Sequence, residues 1–385
     1  MKKYVLFIII IIIMLPKFVY AEVNIDPSTI LEEEQSNFKI KDFLKETENY
    51  APYFIKEMDI SNIFKMATTG KVDNKSFLKK AVSLLTSQVK DTIKILISIL
   101  IIVLIHSLLK AITDGFENSS VSKIVYYVQY VLIITIIMSS FSDILKNITE
   151  TIENLVGFSR ILIPLLGALM LYTGSIATTS VIEPILLFLI EFIANFINVL
   201  IIPIISIITV LIIVSKITDK IQITKLASFF KSSITWGLGV VLTLFVGVLS
   251  LEGSLTSSVD GITAKTAKAA VSSIIPVVGK ILGDGVDAIL GCGVVLKNAV
   301  GIVGVIVIIG ICLLPIIKLA TFCIMYSLTS SIVEPIADEK IVKLLSEMSG
   351  IFKLLLAILC SVSALLVIGV TLVIKISNSG MMYRW

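Results

Sequence analysis

The chain has 385 residues, 56% hydrophobic and only 16% charged, with a formal net charge of +4. Soluble domains carry about 25% charged residues, and a mean hydropathy of +1.03 is more than a water-soluble protein could hide in its core. Composition therefore excludes a soluble globular enzyme. It also excludes a nucleic-acid binder, because the lysines are scattered through loops without interleaved aromatics. The class is an all-α, polytopic helical membrane protein.

The chain starts with the parts of a secretory signal, residues 1–21. Lys2 and Lys3 form the charged region, Tyr4 to Leu15 the apolar core, and Pro16 breaks it. Val19-Tyr20-Ala21 offers the cleavage subsites, with Glu22 as the mature start. The competing reading is an uncleaved anchor. Both readings put residues 22–91 on the extracytoplasmic face. That segment is acidic at first, with Glu32-Glu33-Glu34. Its apolar residues, among them Phe38, Phe43, Tyr50, Ile60 and Phe64, recur at helical spacing. Short amphipathic helices follow, too small for a core of their own and packed on the membrane part or on a partner. Ser76 to Lys90 is a basic amphipathic helix.

Apolar runs judged against the roughly 20 residues that a bilayer requires fall at Thr92–Leu109, Ile124–Phe141, Leu155–Tyr172, Pro184–Val214, Thr235–Leu251, Ala299–Leu319 and Phe352–Ile374. Pro184–Val214 is too long for one crossing and carries Glu191 and Pro203. The basic loop holding Lys216, Lys220, Lys225 and Lys231 belongs in the cytoplasm. With the N-terminus outside, an odd number of crossings must precede it, so one segment is re-entrant or broken. Such backbone survives at membrane depth only where protein or water covers it.

Two stretches 151 positions apart read alike. Leu162-Ile163-Pro164 returns as Leu313-Leu314-Pro315, and Leu145-Lys146-Asn147 as Leu296-Lys297-Asn298. Thr178 to Ile185 returns as Thr329 to Ile336, each with Ser, Glu and Pro in register. Ile-on-Leu agreement means little in a greasy chain, but ungapped Lys, Asn, Pro, Ser and Glu are harder to obtain by chance. The expectation is an internal duplication, with residues 92–216 and 217–376 as membrane repeats and 377–385 as a tail. Transporters are commonly built so, with functional elements near the repeat interface.

The Ser180, Glu183, Pro184 set and its counterpart Ser331, Glu334, Pro335 read as helix starts, since Pro suits the first turn and Ser three before Glu fits a capping box. They are either facing half-helices lining a polar path or ordinary interfacial caps. Glu191 stands alone in an apolar run and either faces a cavity or partner or marks the membrane surface. Residues 252–293 form a Gly/Ala-rich signature carrying Asp260, Lys265, Lys268, Gly279, Gly283, Asp284 and Asp287. Gly279 and Gly283 make a GxxxG that allows close helix approach, so the element serves packing or a partner. His106 is the only histidine, and Cys292, Cys312, Cys323 and Cys360 lie in apolar or Gly-rich segments. No metal, nucleotide or hydrolase motif is present, and the reading calls for no cofactor, no disulfide and no catalytic residue.

The Glu252–Gly293 signature, with Ser257-Ser258-Val259-Asp260-Gly261, and the Ser/Thr-Glu-Pro elements resemble the stage III sporulation protein AE family of endospore-forming bacteria over nearly the full length. The resemblance implies a non-enzymatic subunit of the mother cell–forespore channel, a secretion-like feeding tube, in the outer forespore membrane. The N-terminal segment would project into the intermembrane space. It implies other stage III sporulation A-operon proteins, a separate ATPase and, indirectly, stage II sporulation protein Q as partners, alongside lipids and further copies of the chain. Two other readings compete: a stand-alone secondary transporter using intramembrane carboxylates, and a scaffold that only recruits partners.

Overall fold

The computed structural model describes residues 27–52, 60–69, 93–95, 97–105, 107–108, 119–217, 224–274 and 278–382. The signal sequence, the basic helix at Ser76–Lys90 and His106 lie outside the described residues. Helices α1 (Pro27–Asn37), α2 (Ile40–Thr47) and α3 (Ile60–Thr69) are short. Helices α4 (Ser119–Tyr172), α5 (Ile176–Asn195), α6 (Ile202–Ile217), α7 (Thr224–Ile274), α8 (Val278–Val333) and α9 (Glu339–Met382) build the main body. No strand occurs among the described residues. An apolar segment that satisfies its own backbone hydrogen bonds is what a bilayer selects.

Five helices are long and apolar enough to cross a membrane, and a shorter apolar helix covers Ile93–Ile105. The crossings differ from the sequence expectation at one place above all. Ile124–Phe141 and Leu155–Tyr172 are not separate spans but the two apolar halves of α4, which is unbroken over 54 residues. At 1.5 Å per residue it is about 81 Å long, against roughly 30 Å of hydrocarbon. The polar stretch between the halves, Ser142 to Asn154, contains no Gly or Pro to stop a helix. The long run over 184–214 is likewise continuous. A π-helical turn, Phe196–Ile201, joins α5 to α6. It precedes Pro203, which has no N–H to return to the Val199 carbonyl and whose ring crowds it; the wider turn relieves that conflict.

The long helices alternate in direction. Arg160 of α4 meets Glu191 of α5 while Gly167 meets Glu183, so the two run antiparallel. Asp260 meets Ala177 and Gly237 meets Phe196, which sets α7 against α5. Ser330 bonds to Val342 and Asn378 to Asn298, making α8 and α9 a hairpin. The α8–α9 pair is the centre of the core, with Phe322, Tyr326 and Phe352 in mutual ring contact. Gly304 of α8 lets α4 come close: a Cβ there would fall 2.6 Å from Leu162 Cδ2.

The N-terminal helices pack on this bundle. Phe38 meets the Tyr172 ring edge-on at 5.3 Å, and Phe43 and Tyr50 flank Phe158. Ile40, Phe43, Ile60 and Phe64 are buried. The segment therefore borrows its core from α4 and α8.

Candidate functional site

The first N–H groups of any helix lack internal partners. Ser175, in the N-cap position of α5, makes no side-chain cap bond. The carboxylate of Asp260, on α7, accepts the Ala177 N–H at 2.7 Å and the Thr178 N–H at 3.0 Å instead. Asp260 is only 5% exposed, and a negative charge at this end also meets the positive end of the helix dipole. Beside it, Lys297 of α8 donates to Ser377 Oγ of α9 at 2.7 Å. Ser377 Oγ lies 3.0 Å from Ser175 Oγ. One residue on, Asn378 Nδ2 donates to Asn298 Oδ1 at 3.1 Å. Lys297 is 0% exposed.

A polar seam thus joins α5, α7, α8 and α9 at one end of the bundle. Two of its acceptors, Thr178 Oγ1 and Asn378 Oδ1, are buried with no hydrogen-bond partner. The seam can hold helix ends together and has spare acceptors for another arrangement. It offers no nucleophile–base pair, and among the described residues no group of three or more His, Cys, Asp or Glu is placed to hold a metal.

The acidic elements seen in the sequence are placed as follows. Glu191 is ion-paired to Arg160, with Nε at 2.6 Å and Nη2 at 2.5 Å from the same oxygen. Glu183 is half-buried, against Gly167, where a Cβ would overlap its carboxylate. The helix-start expectation is not met at either Glu-Pro. Glu183 and Pro184 lie in the third turn of α5, because the helix begins earlier, at Ile176, under the Asp260 cap. Ser180 is exposed and donates back to the Ile176 carbonyl at 2.8 Å rather than accepting an N–H. Ser331 does the same to Ser327 at 3.2 Å, inside α8. Glu334 and Pro335 are exposed in the turn that ends α8. Glu183 and Glu334 are not brought together, since α9, 44 residues long, runs from the turn beside Glu334 up to the seam.

Of the Gly/Ala-rich signature, Asp260 reaches the seam. Lys265 and Lys268 continue along α7, and Gly279, Gly283, Asp284 and Asp287 begin α8; their side chains lie outside the described residues. Sequence reasoning missed Arg160, Ser175, Ser377 and Asn378. Arg160 had a signal: an arginine in an apolar helix calls for a partner. The two serines and Asn378 had none, being ordinary polar residues until the fold joins them.

The profile of the stage III sporulation protein AE family matches residues 58–377. The chain belongs to that family. It is 32% identical over 276 residues to stage III sporulation protein AE of Bacillus subtilis (strain 168), covering 72% of this chain and 69% of that relative. No solved structure matches it. Membership gives the chain a role in sporulation, and the family is not a known enzyme family. The five long apolar helices make it an integral membrane protein.

Proposed function

We propose that the protein is the polytopic, export-gate or permease-like subunit of the mother cell–forespore channel. It sits in the outer forespore membrane with residues 22–91 in the intermembrane space. It performs no chemistry of its own, and a separate ATPase supplies the energy. The observation that carries this reading is the buried seam of Asp260, Lys297, Ser175 and Ser377. Four helices tied by exchangeable polar bonds, with two spare acceptors beside them, suit a closed state that must open. Apolar packing would hold the same helices with less reason to part.

The test is a disulfide across the seam. Ser175→Cys with Ser377→Cys, whose oxygens stand 3.0 Å apart, should cross-link under mild oxidation. Sporulation should fall when the bond forms and recover on reduction. A seam that cross-links fully while sporulation proceeds is a static joint, and the gate reading fails. Reconstituted alone, the protein should show little gated flux.

A second reading is favoured by one observation: Glu183 is half-buried in α5 with no hydrogen bond or ion pair among the described residues. A stand-alone secondary transporter would use such a carboxylate. Glu183→Gln would then abolish ion-coupled uptake by the lone protein while leaving its assembly intact.

A further inference from the structure

Away from the seam, a cleft of about 300 Å³ opens between α4, α8 and the Tyr50-Ala51-Pro52 corner of the N-terminal segment. That volume is at the lower bound of small-molecule sites. Its polar groups come from three sources. The α4 wall is the polar interruption between the two apolar halves and presents Asn147, Glu150 and Asn154. The α8 wall presents Lys318, half-buried, for which no ion pair or hydrogen bond exists among the described residues. The third source is backbone. Pro315 has no N–H to give the Ile311 carbonyl four residues earlier, and both residues line the cleft. The Ile311 oxygen is left without its ordinary helical donor.

The cleft therefore sets an ammonium on one helix against a carboxylate on the other. The α4 wall also carries carboxamides that can give and take hydrogen bonds, and Ile311 lines the α8 wall with a carbonyl oxygen that lacks its helical donor. Glu150 is held by nothing stronger than an exposed 3.8 Å pairing with Lys146 on its own helix, so it is available. Tyr50, Leu314 and Pro315 supply apolar wall. A bare anion would meet Glu150, and a bare cation would meet Lys318. A solvating water cluster would not need the apolar side. The group that satisfies all of these is a small zwitterion with an apolar arm.

We propose that this cleft is a binding site for a free amino acid or a molecule of that size and charge pattern. Lys318 and the asparagine amides receive the carboxylate. Glu150 and the Ile311 carbonyl receive the ammonium. The site does not depend on the seam or on the gate reading. It stands beside Pro315.

Equilibrium binding to the purified full-length protein in nanodiscs tests this, with radiolabelled L-leucine as probe and isopentylamine and 4-methylpentanoate as competitors. Leucine should bind saturably, and each singly charged analogue should compete at least about tenfold more weakly. Lys318→Met should weaken leucine by a similar factor while leaving the amine unchanged. Glu150→Gln should weaken leucine while leaving the acid unchanged. Absence of saturable binding by L-leucine and by L-glutamine overturns the proposal, as does binding that neither Lys318→Met nor Glu150→Gln alters. Gel filtration and helical circular dichroism of each variant separate a lost site from a lost fold.

Discussion

Residues 162–185 and 313–336 read alike yet fold differently. In the first stretch α4 stops at Tyr172, turns through Thr173, Gly174 and Ser175, and returns as α5. In the second, α8 runs straight through the matching positions to Val333. The difference traces to one residue. Gly174 has φ 81°, a left-handed conformation open to glycine, whereas Met325 stands at the matching place and would resist it. The second stretch is therefore stopped only at Glu334-Pro335, while Glu183-Pro184 is carried into the body of a helix. Similar sequence, read through one glycine, moves a turn by about half of a bilayer-spanning length.

The matched Lys-Asn pairs diverge as sharply. Lys146 is a surface residue, its side chain 77% exposed, whereas Lys297 is fully buried on Ser377. Lys297→Ala should cause the largest loss in the comparison, about 3 kcal/mol, because it removes a charge-assisted hydrogen bond and leaves a cavity. Lys146→Ala should stay within about 0.5 kcal/mol. Denaturation of the detergent-solubilised protein compares the two, and equal effects would mean that the pairs share an environment after all.

The helix starts offer the next contrast. Asp260→Ala strips α5 of both its cap bonds and should cost about 2 kcal/mol. At the start of α9, Glu339 pairs with Lys343, four residues on and exposed, so Glu339→Ala should cost a few tenths, about 0.3 kcal/mol. Urea or SDS unfolding midpoints would sharpen this, and a large Glu339 effect would contradict it.

Arg160→Ala leaves Glu191 without its counter-charge on an apolar helix. The cost should be about 2 kcal/mol, restored in large part by the double variant with Glu191→Ala. Additive losses in that cycle would mean that the ion pair is incidental.

The smallest expected effects bear on the turn itself. Gly174→Ala should lose about 1 kcal/mol through left-handed strain, and Met325→Gly about 1 kcal/mol through helix propensity. If Gly174→Ala is neutral, another residue sets the turn.

The sequence by itself determined the class, because 56% hydrophobic composition and long apolar runs admit little besides a helical membrane protein. It also pointed to Asp260 through the Gly/Ala-rich signature, and left Glu191 either facing a cavity or partner or marking the membrane surface. It did not show that two apolar runs belong to the single helix α4, since polarity in Ser142 to Asn154 looks like a loop although its residues are competent helix formers. Nor did it show what caps α5. A local pattern suggested Ser180, but the carboxylate that does so comes from a residue 83 positions from Ala177. Helix ends need donors and acceptors at a point in space, and tertiary packing alone decides which distant side chain is there. That is why Lys297, Ser377 and Ser175 became one site only in the folded bundle.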